Sequence, residues 1–184
     1  MQQILKNNRF IDGAVCAKQF GVDQIKLMDD WHVKCHSATA TDVHRVNEYG
    51  GGLKLKANFQ KEVGYVYLRQ FIFDLMEYSG KELELSVDFW CDSPVGIDVY
   101  INARPNNDVG CRVLVCDTST INYPKGRNVH KLKIKMPDLY GIDGFLDCLA
   151  KDNMIEFAFR FTGINCSVNV TVNKAELMAS EQPD

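Results

Sequence analysis

Residues 82–92 have the sequence ELELSVDFWCD, in which apolar and polar side chains alternate strictly up to position 89. Successive side chains of a β-strand point to opposite sides, so this period of two predicts a strand with one buried face. The alternation assigns Leu83, Leu85, Val87 and Phe89 to one face, and Glu84, Ser86, Asp88 and Trp90 to the other. A turn at 79–81 precedes this strand, and residues 65–73 predict another long strand before the turn. Two such strands need a second layer to cover their apolar face.

The same alternation recurs along the rest of the chain. It predicts further strands at residues 31–36, 53–57, 97–101, 131–136, 155–161 and 168–172. An apolar segment at 111–116 is followed by a polar loop through Arg127, residues 37–42 are a polar stretch, and residues 48–52 form a glycine-rich loop. One short helix is predicted over residues 144–150, capped by Asp143. The pattern predicts an all-β, antiparallel two-sheet β-sandwich with at most one or two short helices.

Composition sets the number of domains and the classes of partner. The chain has 184 residues, of which 46% are hydrophobic and 24% charged, and this suits one domain, 1–184, with a sizeable core. Residues 1–25 are expected to form an N-terminal arm or edge segment, and residues 179–184 a polar tail. The net charge of −3 without a basic stripe argues against a nucleic-acid partner. The sequence contains neither an apolar run that could insert into a membrane nor a start that resembles a signal peptide.

Seven cysteines stand at irregular spacings without any Cys-x-x-Cys pair. We interpret them as reduced thiols, mostly small core hydrophobes, in a protein made in a cytoplasm. A disulfide framework is the alternative, but a chain of this length does not need such cross-links.

Several segments, taken in order, resemble the jelly-roll domains of bacteriophage tail-fibre and related virion proteins, which are similar to carbohydrate-binding modules. The resembling segments are residues 8–10, 30–31, 67–70 with 72 and 74, 79–81, 87–93, 136–141, 152–153, 155–161 and 175–177. The resemblance implies a non-enzymatic jelly-roll domain of the virion that is often oligomeric, with a trimer favoured, and sometimes binds host-surface glycans. This chain is richer in cysteine than the family and lacks a coiled-coil or collagen-like stalk. A small accessory, adaptor or capsid-decoration protein, made in the host bacterial cytoplasm, therefore fits better than a complete tail fibre.

Aromatic side chains on the polar faces of the strands are the candidate binding residues. Trp90 and Tyr100 each lie on the face opposite the apolar face of their strand, and Tyr65, Tyr67 and Arg69 share a face by spacing. Aromatic rings pack against the C–H faces of sugars, while charged and amide groups bond to the hydroxyls. These five residues are therefore the predicted carbohydrate- or partner-binding set.

Two of these residues also have a structural interpretation, which the sequence favours. A large aromatic side chain such as Trp90 more often packs under a loop or against a partner chain than binds a ligand. Arg69 is expected to be a partly buried ion-pair partner, for Asp74 or Asp88, rather than a ligand contact.

No cofactor is predicted. His32, Cys35 and His36 resemble zinc ligands, but a strand points Cys35 away from both histidines. Four aspartates lie in one acidic loop region, where solvation is the favoured interpretation and a structural calcium remains open. They are Asp138, Asp143, Asp147 and Asp152.

The sequence contains no Gly-x-Ser-x-Gly nucleophile elbow and no phosphate-binding glycine loop, and His44 and His130 have no neighbouring nucleophile. We therefore predict that the protein is not an enzyme; a glycan-cleaving activity is the remotest hypothesis. The leading hypothesis is a phage virion structural protein, a homo-oligomer acting through contacts with other virion proteins. The alternative is a host-glycan-binding module that uses Trp90, Tyr100 and their neighbours on one sheet surface.

Overall fold

The computed structural model describes residues 2–10, 12–17, 19–21, 25–47, 51–103, 113–144, 146 and 155–179. Thirteen strands occur in these residues. Their bounds are β1 Gln2–Gln3, β2 Ile25–Met28, β3 Trp31–His36, β4 Ala38–Val46, β5 Gly52–Phe59, β6 Gly64–Phe71, β7 Glu82–Cys91, β8 Val95–Ala103, β9 Val113–Asp117, β10 Ile121–Tyr123, β11 Gly126–Lys135, β12 Ile155–Gly163 and β13 Ser167–Ala179. Two 3₁₀ helices, Phe73–Tyr78 and Leu139–Gly141, are also present.

The strands form two antiparallel sheets, which confirms the predicted all-β sandwich of jelly-roll type. Sheet I has the order β11-β7-β13-β5-β4, with β1 also paired to β13. Sheet II has the order β10-β8-β12-β6-β3-β2, with β9 also paired to β8. From β5 onward the long strands β5, β6, β7 and β8 alternate between the two sheets.

The inner faces of both sheets carry the predicted apolar residues. In β7 the side chains of Leu83, Leu85, Val87 and Phe89 are fully buried, and so are those of Ile155, Phe157, Phe159 and Phe161 in β12. Trp31 joins the N-terminal segment to this core, because its ring lies 4.7 Å from that of Phe10 and its Nε1 donates to the Asn7 carbonyl at 3.0 Å. The first residues of the chain therefore contribute to the core as well as to the edge of sheet I.

The structure corrects three local expectations. The strands predicted on either side of the turn at 79–81 do not share a sheet, because β6 lies in sheet II and β7 in sheet I. The polar stretch 37–42 belongs largely to β4, where the small side chains of Ala38 and Ala40 face the core. The loop predicted up to Arg127 contains β10 and the start of β11.

Two predictions concern residues that lie outside the described part of the chain. The helix predicted over 144–150 lies almost wholly outside the described residues, as does the tail beyond Ala179. Within the described part of the chain, no helix is both long enough and apolar enough to cross a bilayer.

Candidate functional site

The outer face of sheet II carries aromatic and charged side chains in matched cross-strand positions. In β6 the inner positions Val66 and Leu68 are fully buried, so Tyr65, Tyr67 and Arg69 point outward. The register then pairs Tyr67 with Arg160 of β12, and Arg160 with Asp98 of β8. In the adjacent row Arg69 is paired with Ala158, and Ala158 with Tyr100. Directly opposed side chains on one face lie close enough to interact, so the register assembles one cluster from three strands.

Arg160 is the centre of this cluster. Its Nε donates to Asp98, and its Nη2 donates to Asp117 at 2.7 Å. Its guanidinium carbon also lies 4.9 Å from the ring centroid of Tyr65, 5.6 Å from that of Tyr67 and 5.2 Å from that of Tyr100. These distances are in the range of cation–π contacts. We call the group formed by Tyr65, Tyr67, Tyr100, Arg160, Asp98 and Asp117 the tyrosine face.

Electrostatics hold this cluster in one charge state. Burial alone would lower the pKa of Arg160, but the hydrogen bond to Asp98 and the charges of Asp98 and Asp117 raise it above its usual value. Burial likewise raises the pKa of the Tyr67 phenol. Arg160 therefore stays charged and Tyr67 stays protonated at neutral pH. The guanidinium of Arg160 faces two carboxylates, and Lys34 of β3, the direct cross-strand partner of Tyr67, adds a second cation beside them, so the charges around the tyrosine face balance.

Four aromatic rings form a continuous strip across the outer face of sheet II, from exposed His36 to buried Tyr100. Centroid separations are 6.4 Å from His36 to Tyr65, 6.0 Å from Tyr65 to Tyr67, and 6.4 Å from Tyr67 to Tyr100. His36 is exposed, Tyr65 and Tyr67 are partly exposed, and Tyr100 is only 7% exposed. The accessible part of the strip therefore presents aromatic planes beside the exposed carboxylate of Asp117, while Arg160 and Tyr100 support it from below.

Arg69 shares this sheet face, but it is completely buried and so does not fit the predicted binding role. Its Nη1 donates to Glu156 Oε1 at 2.6 Å, which makes it the structural ion-pair residue that the sequence favoured. The predicted partner Asp88 is wrong, because Asp88 lies in sheet I and pairs with Arg127 at 2.7 Å. The side chain of Asp74, the other predicted partner, lies outside the described residues.

Trp90 lies in β7 of sheet I, on the outer face of the opposite side of the sandwich, and it is 39% exposed. The prediction that Trp90 and Tyr100 share one binding surface is therefore wrong. Both side chains do point outward as predicted, but β7 and β8 belong to different sheets. The exposure of Trp90 also excludes tight packing under a loop of its own chain.

Sequence reasoning missed Arg160, Asp98 and Asp117. Arg160 interrupts the apolar run 155–161, and Asp98 interrupts 97–101, so a charged residue at an outward strand position was the available signal. The pairing of β8 with β12 brings together Arg160 and Asp98, which are 62 positions apart, and the pairing of β9 with β8 adds Asp117.

The described residues considered for metal binding lie at separate positions in the structure. Cys35 is fully buried while His32 and His36 lie on the other face of β3, as the strand pattern predicted. Asp138 caps the helix Leu139–Gly141, because its carboxylate accepts from the Tyr140 amide at 3.2 Å. Asp147 and Asp152 lie outside the described residues. Among those described, no three His, Cys, Asp or Glu side chains are grouped so as to hold a metal ion.

The histidines considered for catalysis are placed apart. His130 is buried between the sheets, where a 3.0 Å hydrogen bond joins its Nδ1 to the Tyr123 hydroxyl. His44 is exposed on β4, on the outer face of sheet I.

Comparison by sequence yields neither a matching protein-family model nor a matching curated protein. Comparison of structures yields many β-sandwich domains. A carbohydrate-binding module of the β-sandwich superfamily is 14% identical with a TM-score of 0.55, and the match covers 81% of this chain and 57% of that one. The family 11 carbohydrate-binding module of Clostridium thermocellum, in complex with a β-1,3-1,4-mixed-linked tetrasaccharide, is 15% identical with a TM-score of 0.52, covering 88% and 96% of the two chains.

A third similar structure comes from a phage. The enzymatically active domain of tailspike protein 4 of bacteriophage CBA120 is 15% identical with a TM-score of 0.50, over 83% of this chain and 20% of that one. This chain thus spans less than two thirds of two of the three proteins. At such identities the likeness concerns the fold, which is that of the jelly-roll β-sandwich domains found in carbohydrate-binding modules.

Proposed function

We propose that this chain is a non-catalytic carbohydrate-binding domain that takes a neutral oligosaccharide on the tyrosine face. The observation that carries the proposal is the set of partly exposed rings of Tyr65 and Tyr67, held over the buried guanidinium of Arg160. A pyranose presents C–H groups on its faces and hydroxyls around its edge. Aromatic planes beside hydrogen-bonding groups match that pattern.

Preorganisation supports this function. The contacts of Arg160 with two carboxylates and three rings fix the tyrosine side chains before any ligand arrives. Less conformational freedom is then lost on binding, which favours affinity. The balanced charges around the tyrosine face suit a neutral ligand.

The structural comparisons support the ligand class. The similar structures are mostly carbohydrate-binding modules, and one of them was solved with a mixed-linked tetrasaccharide. The proposal extends that ligand class to this chain on the strength of the tyrosine face, since the fold by itself does not fix a ligand.

The test is a screen of neutral oligosaccharides on a glycan array, followed by titration calorimetry of the best ligand. Tyr67→Ala is expected to weaken binding by at least about tenfold, the usual loss when an aromatic anchor is truncated. Tyr140→Ala is the matched control, because Tyr140 is 63% exposed and lies outside the tyrosine face. Binding by no neutral glycan, or equal effects of the two substitutions, would refute the proposal, and release of reducing ends would refute its non-catalytic part.

A structural role in a phage virion is the second candidate. The similarity to a tailspike domain of bacteriophage CBA120 favours it, as does the resemblance of segments such as 87–93 to tail-fibre domains. Such a protein would be made in the bacterial cytoplasm with reduced cysteines and would assemble with other virion proteins as a homo-oligomer, with a trimer favoured. Light scattering should then give a multiple of the 20.9 kDa chain mass. A monomer at micromolar concentration would count against this candidate.

A further inference from the structure

The outer face of sheet I contains a cleft around Trp90, on the opposite side of the sandwich from the tyrosine face. Its volume is about 830 Å³. Five of its lining residues form one transverse row, because each is the direct cross-strand partner of the next. In order from β11 to β4 they are Arg127, Trp90, Thr171, Lys54 and His44. With neighbouring strands about 4.8 Å apart, the row spans about 19 Å, the length of several sugar units. We call this region the Trp90 cleft.

Trp90 supplies an accessible aromatic plane in the middle of a polar surface. Trp90 is 39% exposed, and its two cross-strand partners, Arg127 and Thr171, are both polar. Arg127 is fixed beside it, because Nε donates to Asp88 Oδ1 at 3.2 Å and Nη2 donates to Asp88 Oδ2 at 2.7 Å. An exposed tryptophan between ordered polar groups is typical of a binding surface rather than of core packing.

The Trp90 cleft carries more positive charge than the tyrosine face. Arg45, Lys54 and Arg127 line it, and none of its described lining residues is acidic. The Nη1 of Arg45 donates to the Gly13 carbonyl at 2.8 Å, which neutralises no charge. Among the described residues, no carboxylate lies within ion-pair distance of Lys54. Asp88 compensates the charge of Arg127, so Arg45 and Lys54 make the described lining of the cleft cationic, although the chain as a whole carries a net charge of −3.

We infer that the Trp90 cleft binds an acidic oligosaccharide, whose sugar faces stack on Trp90 and whose carboxylate or sulfate groups pair with Lys54. The amides of Asn47 and Asn173 and the hydroxyl of Thr171 line the same cleft and suit sugar hydroxyls. Single-stranded nucleic acid is the competing ligand, but its sites stack successive bases on several aromatic side chains. Trp90 is the only aromatic ring, apart from the imidazole of His44, among the described lining residues.

The inference about the Trp90 cleft rests on the proposed function only in taking the ligand to be a carbohydrate. With both sites occupied, the domain would bridge a neutral glycan on one face and an acidic glycan on the other. The two sites lie on separate sheets and share no residue, so each can be removed without changing the other.

The test is a fluorescence titration with a galacturonate hexamer, a neutral galactose hexamer and an oligo(dT) strand. The galacturonate hexamer should quench Trp90 fluorescence, and its affinity should fall as salt rises. Lys54→Gln should weaken this binding by about tenfold or more, as expected for a lost charged hydrogen bond. Lys131→Gln is the matched control, since Lys131 is exposed on β11 outside the Trp90 cleft.

The outcomes separate the two proposals. Loss of galacturonate binding in Trp90→Ala and Lys54→Gln, with an unchanged unfolding midpoint, supports the Trp90 cleft whether or not neutral glycans bind at Tyr67. Tighter binding of oligo(dT), or equal effects of Lys54→Gln and Lys131→Gln, overturns the inference. Loss of galacturonate binding in Tyr67→Ala alone places the acidic ligand on the tyrosine face, and also overturns it. A sulfated hexamer is titrated in parallel and shows which acidic group is preferred. Binding by neither the galacturonate hexamer nor the sulfated hexamer overturns the inference as well.

Discussion

Replacing Arg160 with alanine removes the cation on which three tyrosine rings and two carboxylates converge. The side chain of Asp98 is only 3% exposed, so Arg160→Ala leaves a buried carboxylate without its cation. Breaking a buried ion pair from one side costs about 3–5 kcal/mol. The Thr120 hydroxyl still donates to Asp98 at 2.9 Å and offsets about 1 kcal/mol of that cost.

The lost ring contacts add about 0.5–1 kcal/mol for each of the three tyrosines. We therefore expect Arg160→Ala to lower the free energy of unfolding by about 3.5–7 kcal/mol. For a denaturant dependence of about 2 kcal/mol per molar urea, the unfolding midpoint falls by about 2–3.5 M. The assay is urea unfolding followed by tryptophan fluorescence, since the fully buried Trp31 becomes exposed on unfolding.

Two controls separate a buried ion pair from a general packing defect. Asp117→Asn should cost less than about 1 kcal/mol, because the side chain of Asp117 is 45% exposed and such pairs are weak. Arg160→Met combined with Asp98→Leu removes both charges and should be less destabilising than Arg160→Ala alone. A midpoint for Arg160→Ala within about 0.5 M of the unmodified chain, or a double variant less stable than the single one, would refute the reasoning.

Three further predictions follow from other parts of the structure. Gly64→Ala should lower the free energy of unfolding in urea by about 1–3 kcal/mol, because the added Cβ would lie 2.4 Å from a backbone carbonyl oxygen. Gly21→Ala is the control and should be close to neutral, because its Cβ would meet no atom within 4 Å; equal unfolding midpoints for the two variants would contradict this. Burial lowers the pKa of His130, so the stability that its neutral form contributes is present above the unfolded pKa and is lost as the pH falls through the folded pKa. His130→Asn should therefore reduce the loss of stability on acidification, by at most about 1.4 kcal/mol per pH unit. An unchanged pH dependence of the unfolding midpoint would show that His130 does not cause that loss. Burial raises the pKa of Cys35 to about 11, so iodoacetamide should label the exposed Cys166 of the native protein at mildly alkaline pH and spare Cys35 until urea is added, as mass spectrometry of the peptides can check.

The sequence was sufficient to predict the direction in which most strand side chains point. In β3 and β7 the alternation is a local property, so Trp31 faces the core and Trp90 faces solvent as the period of two requires. The stretch at 37–42 was harder, because the apolar members of its alternation are small. Ala38 and Ala40 are fully or almost fully buried, yet they carry little of the hydrophobic signal that identifies a strand.

The pairing of strands could not be predicted from one sequence, and the candidate site depends on it. Arg69 and Glu156 are 87 positions apart and meet only because β6 pairs with β12. The tyrosine face likewise requires β12 to lie between β6 and β8. The same lack of pairing information led Trp90 and Tyr100 to be assigned to one surface, although the outward direction of each side chain was predicted correctly. Long-range partners are fixed by packing of the whole sandwich, to which local alternation gives no access.

A titration of ¹⁵N-labelled protein with the best neutral oligosaccharide, followed by amide chemical shifts, tests the carbohydrate-binding role of the tyrosine face most directly. The amides of Tyr65, Tyr67 and Asp117 should shift in a saturable manner, while those of Trp90 and Thr171 on the opposite sheet stay unchanged. Shifts confined to Trp90 and Thr171, or no saturable shifts in sheet II, would contradict a glycan site on the tyrosine face.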